Sequence, residues 1–268
     1  MFSNDKTVAG AQKIMLEILL AVHKICEDNH ITYFLNAGTL LGALRHGGFI
    51  PWDDDMDIAM PRKDYERFLE IAPEALPKDL FLQSRDTDPA YQRPTVKIRK
   101  NGTLLIETGE TGNEKYHHGI FIDIFPYDYY KYEWFLRWMN WGSRVRDRKN
   151  RYKKGTLKRL LVTLYTNYLL AIPAEILIQT RKYLIKHREY FVDEKYEFMS
   201  NGLEMFRNRI TRTKDIMPVK YAEGIFEGYG FYVPRNPEKF MTDFYGDYMK
   251  LPPENERITH AKLIKLEA

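Results

Sequence analysis

The sequence predicts a mixed α/β fold of the α+β kind, with a sheet core, flanking helices and a helical, basic stretch. Three observations predict it. Apolar residues recur at helical spacing over residues 8–26 and 62–76. Short runs of period-two alternation lie between and beyond these helices, and from about Tyr132 to Thr213 the pattern turns helical, aromatic and basic. With 268 residues, 44% of them hydrophobic and 14% aromatic, the chain can bury a substantial core, which excludes a disordered polypeptide. The expected organisation is a core over 1–131, a helical basic subdomain over 132–216 and a segment over 217–268 that packs back on the core.

The elements follow in order. Val8 to Cys26 places Ile14, Ile18, Leu19, Val22 and Ile25 on one helical face. ITYFLNAG reads as a strand ending at Gly38, and TLLGALRHGG as a short helix stopped by its glycines. MDIAMP is the next strand. RKDYERFLEIAPEAL is a helix with Tyr65, Phe68, Leu69 and Ala72 on one side. FLQSRD, TVKIRK and TLLIET alternate as strands do, with Asn101-Gly102 as a hairpin turn, and GIFIDIFP is a strand apolar on both faces except for Asp123. The segment after Lys220, rich in glycine, proline and tyrosine, is expected to wrap over the core.

Several classes of protein are disfavoured. Cys26 is the lone cysteine, so neither an intramolecular disulfide nor a cysteine-built zinc site is expected. MFSNDKTVAG has no secretory-signal pattern. Residues 160–180 are apolar but contain Asn167, Pro173 and Glu175, so they predict a buried or membrane-surface helix and not a span. The net charge is only +4, yet Arg144, Arg146, Arg148, Lys149, Arg151, Lys153, Lys154, Lys158 and Arg159 cluster with only Asp147 opposing them. This run is either a solvated face or a patch for an anionic partner. With no nucleic-acid-reading motif beside it, an anionic membrane surface fits better than DNA or RNA.

The chemistry concentrates in GFIPWDDDMDIAM. Side chains alternate along a strand, so Asp55 and Asp57 face one way, about 7 Å apart, and cannot relax from each other as loop residues could. A hard cation resolves that repulsion, and Mg²⁺ (or Mn²⁺) typically binds one or two carboxylates together with substrate phosphates. Asp123, set among Ile120, Phe121, Ile122, Ile124 and Phe125, needs compensation too. It is supplied either by a salt bridge or by the same metal. Gly38-Thr39, at a strand-to-helix turn, offers free backbone N–H groups to a phosphate. Asp53 and Asp54 are expected to play lesser parts, one supporting the site and the other solvated. His117 and His118 read as a solvated loop.

These residues carry a resemblance. FLNAGTLLGALRHGGFIPWDDDMDIAMPRKDYERF, GIFIDIFP and FYGDYMKLPPENERITH resemble, in order, three blocks of the LicD family, whose members are regarded as phosphocholine transferases. The same core is shared with the fukutin-related proteins, and both belong to the nucleotidyltransferase fold superfamily. The resemblance implies Asp55, Asp57 and Asp123 as catalytic, metal-binding carboxylates and Gly38 and Thr39 as the phosphate turn. It implies a nucleotidyltransferase-like sheet core, CDP-choline as donor, a sugar hydroxyl of a lipid-linked teichoic acid precursor or similar glycan as acceptor, and CMP as product. Arg45, Lys97 and Arg99 become candidate cations for the phosphate charge. Trp52 and Tyr127 become candidates for an aromatic cage around the quaternary ammonium, and Arg257 and His260 for substrate phosphate. The cysteine zinc site of some fukutin-type relatives does not carry over. The implied location is the cytoplasmic face of the cell membrane. A nucleotidyltransferase that makes a CDP-linked donor from CTP, or transfer of another CDP-linked alcohol phosphate, stays open.

Overall fold

The computed structural model describes residues 5–137, 156–161, 164, 183–184, 186–187, 193–202 and 209–267. The fold is α+β, and the chain divides into two compact units, Met1–Tyr127 with Lys214–Ala268, and Asp128–Thr213.

In the first unit, helix α1 (Asp5–Asp28) buries Val8, Ala11, Met15, Ile18, Leu19, Val22 and Ile25, the stripe its periodicity predicts. Strand β1 (Phe34–Leu35) is short and leads into α2 (Ala37–His46). That helix stops at Gly47, whose φ of 70° is a left-handed conformation glycine adopts without steric cost. Then come β2 (Asp57–Pro61), α3 (Arg62–Ala75), β3 (Leu80–Gln83), β4 (Val96–Lys100), β5 (Leu104–Glu107) and β6 (Phe121–Tyr130). The central sheet runs β1-β2-β6-β4-β3. Strands β2 and β6 are parallel, and the other pairs along this order are antiparallel. Buried Ile58, Ile98, Ile122 and Ile124 belong to its core.

The expected hairpin across Asn101-Gly102 does not form. The turn is there, with Gly102 at φ 70°. Both edges of β4 are already taken by β3 and β6, so β5 leaves the sheet and pairs antiparallel with β11 (Ala261–Lys265). The segment after Lys220 is also more ordered than its composition suggests. Strands β9 (Lys220–Phe226) and β10 (Tyr229–Val233) form a hairpin, with Glu227 at φ 50° and Gly228 at φ 80° in the two-residue loop, the pattern that matches strand twist. Helix α4 (Pro237–Tyr245) buries Phe240 and Met241.

In the second unit, β7 (Phe198–Asn201) pairs antiparallel with β8 (Thr211–Arg212), and Tyr130 and Leu136 pack with Phe135, Leu184, Phe198 and Ile210. The basic run from Arg144 and the apolar stretch to residue 180 fall largely outside the described residues. Among those described, no helix is long and apolar enough to cross a membrane.

Candidate active site

The sheet register assembles the site. Asp57 of β2 lies opposite Asp123 of β6, and Asp123 lies opposite Lys97 of β4. Residues directly opposite on neighbouring strands share a face, so the three side chains form one row. Lys97 and Asp123 are both buried, and Lys97 Nζ donates to Asp123 Oδ2 at 2.9 Å. Lys97 Nζ also lies 3.5 Å from a Glu107 carboxylate oxygen and 3.2 Å from the centre of the Phe121 ring, a cation–π contact. Asp123 Oδ1 is buried without a hydrogen-bond partner among the described residues.

Helix α2 is tied to this row at its first turn. The Asp57 N–H donates to Thr39 Oγ1 at 2.7 Å, and the Asn36 N–H to Asp57 O at 3.0 Å. The first intrahelical bond is Leu40 N–H to Asn36 O at 3.1 Å, so the amides of Ala37, Gly38 and Thr39 precede the helical ladder and belong to its electropositive end. Gly38 is needed for close approach: a Cβ there would stand 2.8 Å from Asp53 Oδ2 and 3.9 Å from Asp55 Oδ1.

Neither Asp53 nor Asp54 is a solvated bystander. Burial, then the facing Asp55 carboxylate, pushes Asp53 up to about 9. Asp54 is buried and spends both oxygens on a distant segment. It accepts from the His260 N–H at 2.8 Å and from the Ala261 N–H. This brings His260 Nδ1 to 3.5 Å from Asp54 Oδ1 and 3.6 Å from Asp55 Oδ2. Contact with Asp54, then the Asp55 charge, raises the imidazole to about 9 against the effect of burial. Deeper in, burial and then the charges of Asp55, Asp123 and Asp53 hold Asp57 well above the usual carboxylate range. Burial raises Asp123 as well, and Lys97 opposes the shift.

The donor set fits a divalent cation. Asp53, Asp55 and His260 offer ligand atoms within 4.8 Å of one another. The crowded carboxylates and the Asp123 Oδ1, which has no hydrogen-bond partner among the described residues, ask for positive charge at this place. A cleft of about 210 Å³ opens beside the cluster, lined by Asp55, Leu105, Glu107, Thr108, Phe121 and His260 among others.

Of the other residues singled out in the sequence, Arg45 feels the Asp53 charge while its Nη1 donates to Tyr248 O at 2.9 Å. Trp52 and Arg257 are partners, with the guanidinium carbon 5.0 Å from the ring centre. Arg99 lies over the same Phe121 ring as Lys97, 4.7 Å from its centre, but its donors and the Tyr127 hydroxyl point to other partners. Arg99 is fully buried and clamps Gln83 Oε1 at 2.5 Å and Gly119 O at 2.6 Å. Tyr127 is a core residue, edge-to-face on Phe34, donating its hydroxyl proton to Asn36 Oδ1 at 3.3 Å. His117 is half-buried, stacked on Phe81 with its Nε2 2.9 Å from Asn101 Oδ1, so the solvated-loop reading is corrected there. Glu107 is the site residue that the sequence does not single out, since it stands in the strand TLLIET with nothing local to mark it. Asp53, expected to be either a supporting or a solvated carboxylate, has the larger part.

An α+β core that gathers carboxylates from two parallel strands beneath a helix N-terminus defines a nucleotidyltransferase-type domain. Residues 30–175 match the family model described as LicD/FKTN/FKRP, nucleotidyltransferase domain. The chain is 31% identical to a protein of Haemophilus influenzae, named lipopolysaccharide cholinephosphotransferase LicD, over 269 residues covering 95% of this chain and 96% of that one. The chain therefore belongs to the LicD family and is a transferase. Shorter stretches resemble two uncharacterised rickettsial proteins. One, from Rickettsia typhi, is 40% identical over 60 residues, 22% of this chain and 19% of that one. The other, from Rickettsia prowazekii, is 37% identical over 68 residues, 25% of this chain and 26% of that one.

Proposed function

We propose that this chain transfers phosphocholine from CDP-choline to a sugar hydroxyl of a cell-surface glycan precursor, a lipid-linked teichoic acid precursor being the acceptor we favour. The observation that carries the reading is the Asp57–Asp123–Lys97 row beneath the first turn of α2, with Asp53 and Asp55 at its open end. Near full-length similarity to a protein named for cholinephosphate transfer to lipopolysaccharide supports it.

In this reading the N–H groups of Gly38 and Thr39 receive the donor phosphates. The acceptor oxygen attacks the phosphorus that bears choline. A new P–O bond forms, the bond to the bridging oxygen breaks, and CMP leaves with the electron pair. The hydroxyl proton passes to Asp123. Lys97 already neutralises Asp123 Oδ2, while Oδ1 accepts no hydrogen bond among the described residues, and a carboxylate raised by burial is the better base. Asp53, Asp55 and Asp57 would hold Mg²⁺ or Mn²⁺, which would supply charge neutralisation for the pyrophosphate and the leaving CMP. Trp52 is the aromatic we assign to the ammonium, since its face already accepts the Arg257 cation.

Peripheral attachment to an anionic cytoplasmic membrane face completes the proposal. Leu157, Leu160, Leu161 and Leu164 are 55% exposed or more and adjoin Lys158 and Arg159. The test is CMP release from CDP-choline with a lipid-linked glycan acceptor, with and without Mg²⁺, in the wild type and Asp55→Asn. Metal-dependent release lost in the variant is expected. Consumption of CTP with pyrophosphate as product would overturn the reading in favour of donor synthesis.

A further inference from the structure

We infer that His260 is a nitrogen ligand of the divalent cation bound by Asp53 and Asp55, so that the site selects Mn²⁺ over Mg²⁺ and the cation staples the C-terminal segment to the catalytic core. The inference rests on the metal-dependent reading above and deepens it.

The geometry is that of a ligand set. The donor atoms of Asp53, Asp55 and His260 all lie within 4.8 Å of one another. His260 Nδ1 and Asp55 Oδ2 are 3.6 Å apart, near enough for both atoms to reach one ion after a small side-chain adjustment. The imidazole is delivered there by a pinned backbone. The His260 N–H donates to Asp54 Oδ1 at 2.8 Å. The His260 carbonyl accepts from Thr108 N–H and from Thr108 Oγ1, each at 2.7 Å. The next residue, Ala261, donates to the second oxygen of Asp54 and pairs with Glu107 as β11 begins. Asp54 is buried, and these backbone bonds engage both its oxygens. Their joint effect is to fix where the ring of residue 260 stands, and metal-binding histidines depend on such outer partners for their orientation.

The donor type then sets the preference. Mg²⁺ favours oxygen ligands in a strict octahedron and dehydrates reluctantly. An imidazole in the set shifts preference toward transition metals, and affinity for Mn²⁺ gains from it where affinity for Mg²⁺ does not.

The experiment uses the whole chain with metal alone. Pulsed EPR of bound Mn²⁺ reads imidazole nitrogen directly, and calorimetry gives Mn²⁺ and Mg²⁺ affinities for the wild type, His260→Gln and Asp55→Asn. The side chain of His260 is 64% exposed, so His260→Gln should fold, and a thermal melt checks it. Expected are a ¹⁴N coupling in the wild type that His260→Gln removes, and a loss of Mn²⁺ affinity of at least the roughly tenfold that outer partners alone cause. Mg²⁺ affinity should fall by a smaller factor. Mn²⁺ bound in an Asp55-dependent way without nitrogen coupling, or with an affinity unchanged in His260→Gln, overturns the inference and leaves the metal reading standing. Failure of the wild type to bind either metal overturns both.

Discussion

Replacing Lys97 by methionine removes the cation on which the buried row depends while keeping much of its volume. Lys97 is 2% exposed and bridges Asp123 and Glu107, with its ammonium over the Phe121 ring. Breaking a buried pair by removing one partner costs about 3–5 kcal/mol, because the other charge is left uncompensated. At about 2–4 °C per kcal/mol for a domain of this size, Lys97→Met should lower Tm by about 6–20 °C at neutral pH. The sign with pH follows from Asp123. Burial raises its folded value and Lys97 opposes that rise, so removing Lys97 raises it further. Below the ordinary carboxylate range Asp123 is protonated in both proteins and the Tm gap should narrow; it should widen as pH rises through the folded value. The assay is thermal denaturation followed by circular dichroism, for the wild type, Lys97→Met, Asp123→Asn and the double variant. The double variant should melt above the sum of its parts, since each single change strands the other's charge. A Lys97→Met protein melting within about 2 °C of wild type, or strictly additive changes, would refute the reasoning.

Asp53→Asn should flatten the pH dependence of stability. Asp53 holds its proton up to about 9 in the folded chain and only to about 4 in the unfolded one, so folding binds the extra proton between those values and stability at this group falls as pH rises. In urea denaturation the variant should gain up to about 4 kcal/mol on the wild type at pH 8 relative to pH 5, about 1.4 for each pH unit, and an unchanged slope would count against the raised Asp53. Gly38→Ala puts a methyl 2.8 Å from Asp53 Oδ2 at a helical position where alanine is otherwise favoured by about 1 kcal/mol. CMP release should fall at least tenfold with Tm unchanged or slightly raised, and activity within twofold of wild type would show that the space at Gly38 is dispensable.

Local pattern carries the fold class, the helices α1 to α3 and the strands β2 and β6, because side-chain periodicity is a short-range signal. The row of Asp57 and Asp123 is half legible. Each residue stands out in its own strand, but the one-to-one register between β2 and β6 belongs to the pairing and not to either segment. Lys97 reads like any strand lysine, since its partners lie on β5 and β6. Arg99 differs from it by two positions and ends in another role, bound to Gln83 and Gly119, because burial depth along β4 leaves no trace in composition. Asp54 is the least legible of all. Its spacing beside Asp53 and Asp55 suggests a solvated neighbour, and only the arrival of residues 260 and 261 reveals a buried acceptor. The broken hairpin at Gly102 has the same origin, for the turn signal is local and the competition for the edges of β4 is not.

The bond between Asp54 and the His260 amide spans 206 positions of chain. At about 5–20 residues per second, a ribosome makes Asp54 roughly 10–40 s before it makes the group that binds it. Through that interval the carboxylates of residues 53–57 have been synthesised but the strand that closes over them has not. Newly made protein thus has a built-in delay between forming the sheet that holds its acidic residues and completing the pocket around them.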